Sequence, residues 1–158
     1  MKKNSSGLSI VEIIVSVAIL SLFATISLYS FFALSRRSAL DTSATIVKSV
    51  LTEARSKTLA GESGTRYGVY FSSSSVTTFS GTSYTANASG NVVSPLQSGV
   101  TISNVSLAGG GACSSSSCNI IFNRLTGETS LAGTSTVTLR GQDGATTSVT
   151  IFGTGIVE

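Results

Sequence analysis

The sequence predicts an α+β fold, in which a long N-terminal helix packs by its second half on a small antiparallel β domain. Two observations predict it. Residues 9–60 contain a long apolar run followed by apolar residues at helical spacing, whereas residues 61–158 contain short apolar runs separated by Gly and Ser. The chain therefore divides into a polar segment (1–7), a helix (8–60, apolar over 8–35 and amphipathic over 36–60) and a β-rich globular domain (61–158).

The apolar part of the helix is long enough to cross a membrane. Residues 13–35 contain no charged side chain, a run of 23 residues, and a bilayer core of about 30 Å needs about 20. Lys2 and Lys3 precede the run, which by the positive-inside rule keeps the N-terminus in the cytoplasm and the domain outside it. Arg36 and Arg37 follow the run and weaken this asymmetry.

Glu12 is a single carboxylate at the start of this apolar segment. A carboxylate in a membrane helix costs up to about 2.5–3.5 kcal/mol at the helix centre, and less near an end, so such a residue suggests a function. The alternative is a first-turn acid that the helix dipole stabilises by about 0.3–1 kcal/mol.

The N-terminal residues match a known leader pattern: Lys2-Lys3, then Ser6-Gly7-Leu8-Ser9-Ile10-Val11-Glu12. This pattern resembles the prepilin leader of type IV pilins and type II secretion pseudopilins, and it implies a pilin-like fold. The resemblance implies that 1–7 is a cytoplasmic leader peptide, which a prepilin peptidase removes between Gly7 and Leu8 before it N-methylates Leu8. It also implies that Glu12 pairs with the N-terminus of a neighbouring subunit and sets the assembly register.

The sequence departs from the family in one respect. Many members carry Pro in the mature helix near the position of Tyr29, where it lets the helix kink or melt on assembly. This chain has no Pro before Pro95. Ser21, Ser27 and Ser30 are candidates to bend the helix more gently by bonding to backbone carbonyls.

The second part of the helix has one apolar face and ends at glycines. Gly61 and Gly64 are the stop signals. The face consists of Leu40, Ala44, Val47, Leu51, Ala54 and Thr58.

Six short strands follow, and the turn Gln142-Asp143-Gly144 joins the last two. Thr-rich strand faces predict one wetted side of the sheet. The predicted strands are residues 66–71, 76–79, 100–105, 119–122, 136–140 and 148–152.

The domain resembles the GspH/FimT-type minor pseudopilins more loosely than the leader resembles its family. The resemblance rests on the strand-Phe-turn-Gly segment of residues 120–128, the late hairpin of residues 137–151 with the Gly153-Thr-Gly155-Ile156 segment after it, and the helix end Glu53-Ala-Arg55 with Gly61. It implies a minor subunit of a filament.

Cys113 and Cys118 are the two cysteines of the chain. With no His, they are too few for a zinc site, and a local disulfide formed outside the cytoplasm is expected. Closing so short a loop contributes about 2 kcal/mol in the chain-entropy model. The alternative is a pair of free thiols.

No catalytic, cofactor-binding or metal-binding constellation is visible. The absence of His excludes Ser-His-Asp and Cys-His sites, and the seven carboxylates form no cluster in the sequence. The Gly109–Gly111 run lacks the context of a phosphate loop. Asn87 and Asn104 fit glycosylation acceptor patterns that chance explains in a chain with 51 Ser and Thr. We therefore expect no enzyme and no cofactor.

Three functions remain at this point. The first is a structural subunit of a type IV pilus or type II secretion pseudopilus, with other pilin subunits, the prepilin peptidase, the inner-membrane assembly platform and, before assembly, the cytoplasmic membrane as partners. The alternative is a FimT-like DNA-uptake pilin. It is less favoured because Arg66, Arg124 and Arg140 are scattered, and because the net charge of +3 falls to +1 without Lys2 and Lys3. The third is an unrelated membrane-anchored domain or enzyme, which a retained leader would favour.

Overall fold

A computed structural model describes residues 9–108, 112–113, 118–131 and 133–158, with the backbone alone for 112–113. The helix α1 spans Ile10–Leu59, and a 3-10 turn follows at Glu62–Gly64. The strands are β1 (Tyr67–Phe71), β2 (Ser75–Ser80), β3 (Val92–Pro95), β4 (Thr101–Ser106), β5 (Ala112–Cys113), β6 (Cys118–Ile121), β7 (Thr134–Arg140) and β8 (Thr146–Phe152).

The strands form two antiparallel sheets of four strands each. The first has the order β3-β2-β1-β6 and the second the order β5-β4-β7-β8. With α1 packed on the sheet domain, the fold is α+β, as the sequence predicts. The chain divides into two compact units, Met1–Ser35 and Arg36–Glu158.

The second part of α1 supplies one side of the core. Leu40, Val47, Leu51, Ala54 and Thr58 of the predicted face are buried, and Ala44 is half-buried. Ser43 and Val50 are buried as well, because a helix packed on sheets buries a stripe of about 100° or more rather than one row of residues.

Both sheets contribute to the same apolar cluster as the helix. Its strand residues include Val69, Phe71, Val76 and Ile120 from the first sheet and Ile102, Val105, Val137, Leu139, Val149 and Ile151 from the second.

The prediction of one solvent-exposed face holds for the second sheet but not for β1 and β2 of the first sheet. Side chains of β7 alternate between buried and more exposed positions, as expected for a half-buried strand. In the first sheet β1 is covered on both faces, because Tyr84 from the β2–β3 loop stacks on Tyr70, with ring centroids 3.9 Å apart. On this covered face Gly68 is required, because a Cβ there would lie 2.6 Å from the Phe79 ring.

The turn predictions are confirmed, and two strands were missed. The Gly141 amide donates to the Ala145 carbonyl at 2.8 Å, Asp143 Oδ1 accepts the Ala145 amide at 3.1 Å, and Gly144 has a φ of +83°, so residues 141–145 form the β7–β8 turn. The strand β3 was missed because it is short and ends in Pro95, and β5 because it has two residues.

Candidate functional site

Glu12 lies in the first turn of α1. The Ser9 carbonyl accepts the amides of Glu12 at 3.0 Å and Ile13 at 3.2 Å, so Ser9 is the residue at which the helical hydrogen bonds start. The Glu12 side chain is exposed, and among the described residues its carboxylate forms no hydrogen bond or ion pair. Gly7 and Leu8, the predicted cleavage and methylation site, lie outside the described residues.

The helix that follows Glu12 exposes an apolar surface on all sides. Its large apolar side chains from Ile10 to Leu34 are 48–80% exposed, and none of its most apolar stretch is buried. Soluble proteins rarely expose apolar patches larger than a few hundred Å², so a surface of this kind marks contact with lipid or with other protein. By length and composition, α1 is able to cross a membrane.

Hydroxyl groups in this part of the helix bond back to the preceding turn. Ser16 Oγ donates to the Glu12 carbonyl and Ser21 Oγ to the Val17 carbonyl, both at 2.7 Å, and Thr25 Oγ1 donates to the Ser21 carbonyl at 2.8 Å. The predicted bonding is therefore present for Ser21, whereas Ser27 and Ser30 form no such bond in the described helix. The helix runs through the position of Tyr29 without a break.

The last turns of α1 are tied to the sheet domain by polar contacts. Thr58 Oγ1 donates to the Ala54 carbonyl and accepts the Tyr67 amide at 3.0 Å, and it is fully buried. Arg55 donates from Nε to the Gly127 carbonyl at 3.0 Å and from Nη2 to the Thr154 carbonyl at 3.4 Å. We call the two hydrogen bonds of Arg55 the clasp. Sequence patterns did not predict it, because its acceptors are backbone carbonyls far away in the chain.

One ion pair lies on the exposed side of the same helical segment. Lys57 Nζ lies 2.8 Å from Glu53 Oε1, one helical turn away. The hydrogen bond to Glu53 raises the pKa of Lys57 above its ordinary value, and burial opposes the shift. The pair stabilises the helix end and does not point to a reactive group.

Two of the three scattered arginines of the domain converge. Arg66 and Arg124 line one groove of about 760 Å³ at the end of α1, together with Leu59, Gly61, Asn123, Leu125, Thr126 and Glu128. Arg140 lies at the end of β7 and is not in this groove. The interpretation of these residues as scattered is therefore wrong for Arg66 and Arg124, because the fold brings the start of β1 beside the turn that follows β6.

Of the two cysteines in the predicted disulfide, the structure describes the side chain of one. Cys118 is buried at the start of β6 and is disulfide-bonded. The side chain of Cys113 lies outside the described residues, although its backbone pairs with Val105. The pairing of Cys113 with Cys118 therefore stays a prediction. Within the described part of the chain, His, Cys, Asp and Glu form no group of three that could hold a metal ion.

Comparison of the chain with protein-family models, with curated proteins and with solved structures gives no match.

Proposed function

We propose that this chain is a pilin-like structural subunit of the minor pseudopilin type, which assembles non-covalently into a type IV pilus or a type II secretion pseudopilus. The observation that carries the proposal is the helix of residues 10–34, which exposes its large apolar side chains and bears one carboxylate, Glu12, in its first turn. The prepilin-like leader of residues 1–7 supports the same conclusion.

Two environments can cover the apolar side chains of such a helix. A bilayer covers its apolar side chains while the helix satisfies its own backbone hydrogen bonds. The apolar helices of other subunits cover the same side chains in a filament. A subunit of this kind waits in the cytoplasmic membrane, with its domain outside the cytoplasm, and moves into the filament without exposing the helix to water.

Glu12 fixes the offset at which the helices of neighbouring subunits pack in the filament. In a filament core, a carboxylate without a partner is strongly destabilising, and removing one partner of a buried ion pair costs about 3–5 kcal/mol. The free, N-methylated amine of Leu8 on a neighbouring subunit supplies the opposite charge. Helices then stack only at the offset that brings this amine to Glu12. Prepilin peptidase creates the amine by cutting between Gly7 and Leu8.

The first test is the mass of the N-terminal peptide of the protein isolated from host membranes. We expect a peptide that begins at N-methylated Leu8. A peptide that begins at Met1, in cells with an active prepilin peptidase, would refute the proposal and leave Glu12 as a first-turn acid on an ordinary membrane anchor.

The second test compares Glu12→Ala with Ser16→Ala, which lies one turn further along the same helix. We expect Glu12→Ala to leave the amount of protein in the membrane unchanged and to lower its incorporation into sheared filaments at least about tenfold, because the ion pair is lost. Ser16→Ala removes one hydroxyl bond to the Glu12 carbonyl and should incorporate normally. Equal incorporation of both variants would contradict the role of Glu12.

DNA capture is the second candidate, because Arg66 and Arg124 line one groove. Phosphate binding by several cations gives an affinity that falls steeply with salt. A mobility-shift assay at low and high salt with the purified protein decides it, and the absence of a shift at low salt ends this candidate.

A further inference from the structure

The turn between β6 and β7 presents a large apolar side chain to solvent. Leu125 is 96% exposed. The turn that carries it is closed by backbone bonds, from the Asn123 amide to the Glu128 carbonyl and from the Gly127 amide to the Asn123 carbonyl, each of 2.8 Å. Arg55 holds the Gly127 carbonyl from the helix side at 3.0 Å. Leu125 therefore stands on a fixed turn rather than on a loose loop.

The groove beside Leu125 combines apolar and cationic side chains. We call it the Leu125 groove and define it by Leu59, Arg66, Arg124 and Leu125. Leu59, the last residue of α1, is 45% exposed there. The Arg124 guanidinium extends towards the turn after the helix, since a Cβ built on Gly61 would lie 4.0 Å from Arg124 Nη2.

The guanidinium groups of the two arginines in the groove are not paired with other described residues of the chain. Among the described residues, neither the Arg66 nor the Arg124 guanidinium forms a hydrogen bond or an ion pair, and both side chains are exposed. Arg55, close by, is engaged with two carbonyls. The carboxylate at the groove, Glu128, accepts a hydrogen bond from Thr126 Oγ1 at 3.1 Å. The groove thus offers two guanidinium groups and two leucines to a partner.

We propose that the Leu125 groove docks an acidic segment of another protein, one that carries an apolar side chain among its carboxylates. Guanidinium groups bind carboxylates through two parallel hydrogen bonds, which gives both strength and orientation. Leu59 and Leu125 bury an apolar side chain of the partner between them, and removal of that apolar surface from water favours binding. The chemistry of the groove and that of the segment are complementary in both respects.

A nucleic acid fits the same groove less well. Single strands bind to surfaces on which aromatic side chains stack with the bases, and no aromatic residue lines this groove in the described part of the chain. Exposed leucines add nothing to phosphate binding.

The test measures binding of a fluorescein-labelled peptide, Glu-Asp-Glu-Leu-Leu-Glu-Asp-Glu, to the purified full-length chain in neutral detergent by fluorescence anisotropy. We expect saturable binding that weakens about tenfold in the double variant Arg66→Glu/Arg124→Glu, because charge reversal replaces attraction by repulsion. Leu125→Ser should weaken binding about fivefold, and a peptide with Ser in place of both Leu residues should lose a similar factor.

Arg140→Glu is the matched control, because Arg140 is also an exposed arginine of the domain but lies outside the groove. It should leave the affinity within about twofold, as expected for a charge far from the contact. The inference is overturned if the peptide does not bind at low salt, or if Arg140→Glu weakens binding as much as the groove variants do.

A competition experiment distinguishes an acidic protein segment from a nucleic acid as the partner. A 20-nucleotide single-stranded DNA should displace the peptide only at far higher concentration than the unlabelled peptide does. Displacement by DNA at equal or lower concentration overturns the inference in favour of a nucleic-acid partner. Because Glu12→Ala should bind the peptide as the unchanged protein does, failure of the assembly proposal and failure of this one are distinguishable.

Discussion

Gly155 is the position where a single added methyl group should do most damage to the clasp that joins the helix to the sheets. Gly155 has a φ of +80°, and a Cβ there would overlap the Gly127 carbonyl oxygen and lie 2.7 Å from Arg55 Nε. The methyl group of Gly155→Ala therefore occupies the space through which Arg55 reaches the Gly127 carbonyl. Both the backbone and the hydrogen bond of Arg55 have to move.

The magnitude of the effect follows from three contributions. A residue with a side chain in the left-handed region costs about 1–2 kcal/mol, and overpacking of a tight site adds about 1–3 kcal/mol. Loss of a hydrogen bond from a charged donor adds about 1.5–3 kcal/mol. Overpacking and the loss of the hydrogen bond arise from the same clash, so their costs do not add fully. We expect a total loss of about 3–5 kcal/mol in the free energy of unfolding.

Gly144 provides the matched control. Its φ is +83°, almost that of Gly155, but the nearest atom to an added Cβ is Arg140 Nη2 at 3.9 Å. Gly144→Ala should therefore cost the backbone contribution alone, about 1–2 kcal/mol. The difference between the two variants isolates the clash at the clasp.

Urea unfolding of the full-length chain in neutral detergent measures these differences. Tyrosine fluorescence reports mainly on the domain. The chain has no Trp, and three of its four Tyr residues, Tyr67, Tyr70 and Tyr84, lie within residues 36–158. Arg55→Ala should cost less in the Gly155→Ala background than in the unchanged protein, because the hydrogen bond is already lost there. A loss for Gly155→Ala no larger than that for Gly144→Ala would refute the account of the clasp.

Two further predictions concern the same helix end. Thr58→Val keeps the shape of the buried side chain but leaves the Tyr67 amide without its acceptor, so it should lower the free energy of unfolding by about 1–3 kcal/mol in urea, whereas the exposed Thr52→Val should change it by less than about 0.5 kcal/mol. Glu53→Gln should cost about 0.3–0.5 kcal/mol at pH 7, a small value because the two side chains of the pair, Lys57 and Glu53, are 29% and 53% exposed. Because the pKa of Lys57 is raised in the folded state, this contribution is present below the ordinary value of 10.5 and fades as the pH rises through the folded-state pKa. A loss for Glu53→Gln that is the same at every pH, with no convergence of the variant and the unchanged protein in alkali, would contradict the ion pair as its source.

Local patterns predicted the elements whose residues carry their own signal. The helix was expected over residues 9–60 and spans Ile10–Leu59, because its apolar spacing and the glycine at its end act within a few residues of the chain. Gly61 adopts a φ of +66°, which explains why the helix stops there. The late hairpin was predictable for the same reason, from Asp143 and Gly144.

Contacts between distant segments were not predictable in this way. The stack of Tyr84 on Tyr70 covers a sheet face that the Thr-rich strands suggested was wet. The hydrogen bonds of Arg55 and the presence of Arg66 and Arg124 in one groove depend on which backbone segments the fold brings together. Charge counting along the chain treats such arginines as separate, so the Leu125 groove had no signal in the sequence.

The division of the chain into an apolar helical part and a domain with its own core has a consequence for assembly. Every buried side chain in the described part of the chain belongs to residues 40–151, so the domain closes its core without help from the apolar half of α1. Burial of apolar surface is the main favourable contribution to folding. Substitution of Glu12 should therefore change with what the chain assembles, while its insertion into the membrane and the free energy of unfolding of the domain stay the same. The surface that needs a partner and the core that needs none are thus encoded in different parts of one helix.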